Sequence, residues 1–575
     1  MTAGGQVHRV QGPLVEAAGL PEVAVSSLVR LGARRVLGEI VGTREGVVTV
    51  EAYEYTGGLR PGDPVAVLGV PLSARLGPGL LGGVFDGLLR PLSDAPAWLE
   101  AGTVPDRLPP ERRAFVPGVR EGEVVGAGAE LGVLRGAGVV HRVLVPPTAE
   151  GRVEALRGEG PCGDDDVVAV VGGVDVPLTT SWPVRRPRPV RERLAAGPPM
   201  ITGQRVVDLL FPVARGGSAC VPGGFGTGKT VLLQQLAKWC DADVIVYVGC
   251  GERGNEMADV LQEFAALSDP RTGGRLLDRT VVIANTSNMP VTARESAVAS
   301  ALTVAEYYRD MGLHVVVIAD STSRWAEALR EFSSRTGDLP AEEGYPASLS
   351  SALAALYERA ARVVTMGGRE GSVTLVGAVS PPGGDLTEPV TTLTQRFVRA
   401  TWSLDRDLAY ARHYPAVSWG ASYSRDVDVV AAWYADAGDP GWAARRAAVA
   451  GLLAEADRLA ALAELLGVTS LPGHERMVLL AGRLLREGLL QQSALSERDA
   501  ASSPARSAAL TGMMLDVVTA CQDLVARGVP ATTIEEADFS PVLRAREDAG
   551  ADDLGEIERR RRAVLGMLRS LGEAT

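Results

Sequence analysis

Lys229 and Thr230 close the octapeptide Gly223-Gly224-Phe225-Gly226-Thr227-Gly228-Lys229-Thr230, which fits G-x-x-x-x-G-K-S/T at every fixed position. Glycines at this spacing let the backbone fold tightly with its N–H groups pointing inward, a nest for an anion. The N-terminus of a following helix adds the positive end of its dipole. In such a nest Lys229 bridges β- and γ-phosphate oxygens, and the Thr230 hydroxyl reaches Mg²⁺. The lysine stands out against its background. Of 58 basic residues only Lys229 and Lys238 are lysines. An ammonium is a compact point charge and a guanidinium a planar fork, so a lysine retained here matches the geometry of a phosphate. Compositional drift toward arginine accounts for the general scarcity, and Lys238 reads as a solvated residue.

Two carboxylates are candidates to work with this loop. Asp320 ends the apolar run Leu313-His314-Val315-Val316-Val317-Ile318-Ala319, where a phosphate-loop NTPase places the acid that holds Mg²⁺ directly or through water. The competing reading is an aspartate that caps the next helix. Glu252 follows the run 243–248, where a carboxylate beside the phosphate loop can orient and polarise an attacking water. Arg253 next to it can pair with a phosphate or a neighbouring subunit, or the two side chains can simply form a loop ion pair. Five histidines are isolated, with no H-E-x-x-H, and there is no G-x-S-x-G elbow.

These residues need a scaffold of alternating strands and helices. Strands are expected at 218–222, 243–248, 279–285, 313–319 and 373–378, with helices at 229–240, 254–267, 291–311 and 347–362. Apolar strands between helices imply a parallel sheet covered on both faces, and ligands bind such sheets beyond the carboxyl ends of the strands. Around this lie other textures. Residues 1–75 alternate with period two between Gly and Pro turns, as in a small β-barrel. Residues 76–110 form a proline- and leucine-rich connector. Residues 111–185 are a second β-rich block, in which 119–136 and 141–156 each read as a strand pair, and Gly163-Asp164-Asp165-Asp166 reads as a solvated hairpin tip. Residues 186–425 hold the phosphate-loop α/β domain, entered through a linker at 186–200. Residues 426–575 are helical, with amphipathic helices over 442–467 and 474–495. The run Arg559–Arg562 follows acidic residues and reads as a charged helix face. A chain of 575 residues accommodates three or four such domains. Its net charge of −12 argues against nucleic-acid binding as its main business. The five cysteines show no C-x-x-C, which points to a reducing compartment and no zinc site. No signal peptide is apparent, and no uncharged apolar run approaches the ~20 residues that span a bilayer, so any membrane role runs through partners.

Taken together, the octapeptide, Gly249-Cys250-Gly251-Glu252-Arg253-Gly254-Asn255-Glu256-Met257 and Ala319-Asp320-Ser321-Thr322-Ser323-Arg324-Trp325 resemble the catalytic A subunit of V-type and archaeal-type rotary ATPases. So do Glu342-Glu343-Gly344-Tyr345-Pro346-Ala347, Ser380-Pro381-Pro382-Gly383-Gly384-Asp385 and Arg412-His413-Tyr414-Pro415. The resemblance covers essentially the whole chain. It implies a multidomain chain: an N-terminal β-barrel, the 111–185 block as an insertion domain, a nucleotide-binding domain and a C-terminal helical domain. It implies three such subunits in alternation with three B subunits around a rotor stalk, with peripheral stalks and a membrane sector that moves H⁺ or Na⁺. The complex would lie on the cytoplasmic face of a membrane. The cofactors implied are ATP or ADP with Mg²⁺, held by the 223–230 loop, with Thr230 and Asp320 at the metal. Glu252 becomes the water-activating carboxylate, Arg253 contributes phosphate contacts, and an arginine finger comes from the B subunit. The adenine pocket maps to Tyr414 and Leu495.

Three positions depart from that pattern. Gly224 stands where proline is usual, Thr227 where many eukaryotic members have cysteine, and Leu495 where phenylalanine is frequent. The alternatives are another homologous motor (an F-type β subunit, a flagellar or secretion ATPase, a Rho-like helicase) or a non-catalytic nucleotide-binding subunit. The 111–185 insertion and a phosphate loop as late as 223 argue against the first group. Retention of both Lys229 and Glu252 argues against the second.

Overall fold

The runs of Val, Ile and Ala at 244–252, 280–286, 314–320 and 370–379 are apolar on both sides, and they form the central strands of the molecule. The computed structural model describes residues 4–93, 95, 101–102, 113–136, 138–337, 339–550 and 553–573. Part of the 76–110 connector, the start of the 111–185 block and Asp552 lie outside the described residues.

The central sheet orders its main strands Tyr423–Ser424, Ala400–Thr401, Ser218–Pro222, Glu370–Val379, His314–Asp320, Val244–Glu252, Thr280–Thr286 and Val84–Phe85. From Ala400–Thr401 through Val84–Phe85 every neighbour is parallel. All these strands therefore end on one edge, where loops meet ligands. The last strand comes from the connector region, so that region adds an edge to the sheet. Helix Val291–Asp310 is buried nearly all round, as expected of a helix wedged between layers.

Two expectations fail locally. The helix expected over 347–362 stops as Leu349–Tyr357, and Ala361–Val364 turns back as a strand antiparallel to Glu370–Val379. The β-branched Val363 and Val364 pair better in a sheet than in a helix. The 186–200 segment is docked, not free. Arg188 donates its backbone N–H to Glu306 at 2.8 Å and its Nε to Asp310 at 2.6 Å, and Glu192–Arg193 pairs with the 361–364 strand.

The first domain is a closed barrel ordered Gly5–Gln11, Leu14–Ala18, Val47–Ala52, Val36–Arg44, Ser27–Leu31 and Pro64–Pro71. Val7, Val15, Val29, Ile40 and Val50 fill it. The second holds two four-stranded sheets around Phe115, Leu131, Val143 and Val153. Here the strands pair across the two expected segments and not within them. Glu130–Arg135 pairs with His141–Leu144, and outside that hairpin Val124–Val125 pairs with Gly151–Leu156. Alternation marked the strands but not their partners. The Gly163–Asp166 turn is tied down: Asp166 accepts the Gly163 N–H at 3.0 Å and Asp165 pairs with Arg75.

The C-terminal region packs helices Trp442–Leu466, Gly473–Leu485, Pro504–Ala526 and Leu554–Glu573. The helix expected to reach 495 ends with one wide turn over Arg486–Leu490. Pro504–Ala526 is long and apolar enough to cross a membrane, yet its Leu510, Met513, Met514 and Val517 sit in the hydrophobic core. The Arg559–Arg562 run pairs with Glu556, Glu558, Asp516 and Asp548, which makes it a charged helix face.

Candidate active site

The phosphate loop leaves the wholly buried strand Ser218–Pro222 and runs directly into helix Lys229–Trp239. Gly226 and Gly228 adopt φ of +78° and +87°, a region side chains resist. A Cβ at Gly228 would also stand 3.3 Å from the Tyr414 ring, which would have to shift by a few tenths of an ångström. Lys229 Nζ donates to the carbonyls of Gly223 and Gly224 at 2.6 and 3.0 Å. Thr227 Oγ1 braces the turn by donating to the Gly224 carbonyl at 2.9 Å. Burial lowers the Lys229 pKa, and the negative charges of Asp320 and Glu252 push back against it.

Asp320 ends its strand opposite Gly249 in register. Its Oδ2 accepts from the Tyr247 hydroxyl at 3.3 Å and lies 3.5 Å from Thr230 Oγ1. Helix Thr322–Thr336 begins after Ser321 with no side-chain cap, so Asp320 faces the loop and not the helix end. Burial lifts its carboxyl to about 6, opposed by Lys229 and the Tyr247 hydrogen bond.

Glu252 ends strand Val244–Glu252. That strand is not beside the phosphate-loop strand, as the order in sequence suggests; Glu370–Val379 and His314–Asp320 lie between them. The electrostatic coupling to Lys229 crosses that gap along the sheet edge. Burial raises Glu252 to about 7, with Asp320 and Glu256 adding to the shift and Arg324 opposing it. Gly251, at φ +71°, is required here, because a Cβ would come within 2.9 Å of both Arg294 and Arg324. The Arg253 side chain is 71% exposed and its nearest carboxylate is Glu256, at 3.9 Å, so the Glu252–Arg253 loop ion pair does not form. Tyr414 is 42% exposed, and Phe225 and Leu495 are 90% and 98% exposed.

The donor set at Thr230 and Asp320, one hydroxyl and one carboxylate, fits Mg²⁺. That ion takes oxygen ligands and keeps several waters alongside one or two carboxylates and substrate phosphates. Among the described residues no cluster of three or more His, Cys, Asp or Glu forms a separate metal cage.

Four family descriptions match in succession. They are the ATP synthase alpha/beta family β-barrel domain at 7–69, its barrel-sandwich domain at 110–185, its nucleotide-binding domain at 203–424, and the C-terminal domain of V and A type ATP synthase at 431–531. The V-type ATP synthase alpha chain of Anaeromyxobacter sp. (strain K) is 51% identical over 92% of this chain and 93% of its own. The V-type ATP synthase alpha chain of Thermoanaerobacter pseudethanolicus is 45% identical over 98% of this chain and 98% of its own. This chain belongs to the V/A-type ATP synthase alpha-chain family. Among solved structures, the assembled ATPase EscN of the enteropathogenic E. coli type III secretion system shares the fold. It has a TM-score of 0.66 at 22% identity and covers 89% of this chain and 100% of that one.

In this V/A-type alpha chain the sheet edge brings together the phosphate loop, Asp320 and Glu252. Tyr247, Glu256, Arg294 and Arg324 also converge there, and sequence spacing assigned them no role. Arg324 and Glu256 could have been suspected from the charged neighbours of Asp320 and Glu252; Tyr247, inside an apolar strand, gave no signal. At Gly224 the missing proline leaves the loop 3.6 Å, measured from the position of a Cβ, from the Gly384 backbone and 3.8 Å from the Arg406 guanidinium.

Proposed function

We propose that this chain is the catalytic subunit of a V/A-type rotary ATP synthase, making or hydrolysing ATP where it meets a B subunit, coupled to H⁺ or Na⁺ movement through a membrane sector. The observation that carries this reading is the meeting of Lys229, Thr230, Asp320 and Glu252 along one sheet edge. The loop N–H groups and Lys229 hold the β- and γ-phosphates. Thr230 and Asp320 would hold Mg²⁺, which neutralises charge developing on the phosphates. Glu252 orients water for in-line attack and accepts its proton. The exposed Arg253 would contact phosphate or the neighbouring subunit on assembly. Tyr414 and Leu495 border the base, with Phe225 on the outer face of the loop. The domain limits 1–75, 76–110, 111–185, 186–425 and 426–575 are proposed as the working units. The complex is peripheral on the cytoplasmic face, with stalks linking it to the membrane.

An arginine supplied in trans is worth about 10³–10⁵ in turnover. The isolated chain should therefore bind MgATP and turn it over at least about a thousandfold more slowly than the assembled complex. Equal turnover by the chain alone would contradict an interfacial site.

A further inference from the structure

Between the turn Arg486–Leu490 and helix Pro504–Ala526 the chain runs irregularly. Its tip exposes Leu495, but its base is locked by buried polar groups. Arg205 and Asp499 are fully buried and pair at 2.8 Å. The Arg205 guanidinium also donates to the carbonyls of Leu489 and Gln491, each at 2.6 Å, and to Ser502 Oγ at 3.0 Å. Asp499 Oδ2 accepts the Ser493 N–H at 2.8 Å and pairs with Arg546. Gln492 links this base to the nucleotide side. Its side chain accepts the Arg205 N–H at 2.9 Å and donates to the Gly203 carbonyl at 2.8 Å. Its own N–H donates to the Tyr414 carbonyl at 2.7 Å.

Buried charges persist only when paired and hydrogen-bonded, and here most partners are carbonyls and hydroxyls of one loop. Apolar packing closes an ordinary connection equally well. What such a network adds is a fixed position for what it carries. Leu495 lies three residues from Gln492, so its Cα is at most about 11 Å from that of Gln492. The hydrogen bond from the Gln492 N–H holds the Tyr414 backbone, and the edge of the Tyr414 ring lies 3.3 Å from where a Cβ on Gly228 of the phosphate loop would stand.

We infer that Gln492, seated on the Arg205–Asp499–Arg546 cluster, is a positioning residue for the nucleotide base, holding the 493–496 tip beside Tyr414 so that a planar heterocycle is received next to the phosphates. This rests on the nucleotide site proposed above. The test compares the magnesium salts of ATP and of inorganic tripolyphosphate, which has the phosphates and no base. In the full-length Gln492→Ala chain the Kd for ATP should rise about tenfold, a middling effect of losing a buried hydrogen-bond partner, while that for tripolyphosphate stays within about twofold. In the assembled complex KM for ATP should rise with kcat little changed. Equal weakening of both ligands, or unchanged ATP affinity, overturns the inference. Should the variant fail to fold, hydrogen exchange on the unaltered chain decides. ATP should slow exchange at the 493–499 amides and tripolyphosphate should not; protection by both or by neither overturns it. Tyr414→Ala separates the two levels. If it leaves the preference for ATP over tripolyphosphate intact, the base site itself is misplaced and both readings fall. If it abolishes the preference and Gln492→Ala does not, only the positioning role falls.

Discussion

As the proposed base, Glu252 has to be ionised to take a proton from water, and burial beside Asp320 and Glu256 raises its carboxyl pKa to about 7. Below that pH the group is neutral and cannot act as a base. kcat/KM for ATP hydrolysis should therefore fall on the acid side of about pH 7, by about tenfold per pH unit for a single group. The apparent value belongs to the interacting Glu252–Asp320 pair. Glu256→Gln removes one of the charges that raise Glu252, so the acid limb should move to lower pH. A limb that stays in place would assign the titration to another group. Lys229 admits a similarly pointed test. Arginine replaces lysine almost everywhere else in the chain, so Lys229→Arg keeps the charge and changes only its shape. Its Nζ is seated between two loop carbonyls at 2.6 and 3.0 Å, where a planar fork does not fit. A loss of at least about a hundredfold in turnover, the scale of removing one preorganised donor, is expected; near-native turnover would show that charge alone suffices. At this scale the positions of the phosphate loop, Asp320 and Glu252 at strand ends were legible, because each follows an apolar run. Tyr247 and Gln492 were not. Their partners lie 73 and 287 residues away, and no spacing rule reaches that far.

Elements carry a different dependence on pH. Where the N-terminal barrel meets helix Val291–Asp310, Glu51 is buried and accepts a hydrogen bond from Thr292 Oγ1 at 2.8 Å. Arg185 bridges Glu39 and Glu295 close by, at 2.7 Å each. Burial pushes the Glu51 carboxyl up to about 8. The folded chain thus holds this proton more tightly than the unfolded chain, so the contribution of Glu51 to stability declines as pH rises from about 4.5 to about 8. Glu51→Gln has no proton to lose, and its Tm should fall less between pH 6 and pH 9 than that of the parent; parallel curves would contradict the assignment. The elements themselves were mostly legible, since the strands at 218–222 and 314–320 and the helix after the loop follow apolar runs and turn residues. The errors have a common cause. Leucine- and alanine-rich periodicity continues past the true ends of the helices at Tyr357 and Leu490. What stops them is tertiary: pairing with Glu370–Val379 in one case and the buried polar cluster around Arg205 in the other. Sheet order was not legible either, because strands adjacent in sequence, 218–222 and 244–252, are separated by two others in space.

The whole molecule joins a barrel, a two-sheet block, a parallel-sheet domain and a helical region, with the candidate catalytic groups on one edge of the parallel sheet. The family as a whole could be read from the motifs at 223–230, 249–257 and 319–325, whose residues resemble those of a known family. Arg253, Phe225 and Leu495 are exposed in the single chain, and in the proposed assembly they are the residues that partner subunits would cover. The central claim is that this chain itself supplies the carboxylate that activates water. Single-turnover hydrolysis of MgATP by the assembled complex carrying Glu252→Gln tests it most directly. Nucleotide binding should be retained while the chemical step slows by at least about a hundredfold, the low end for removing general acid–base help. Hydrolysis at the native rate would contradict the account.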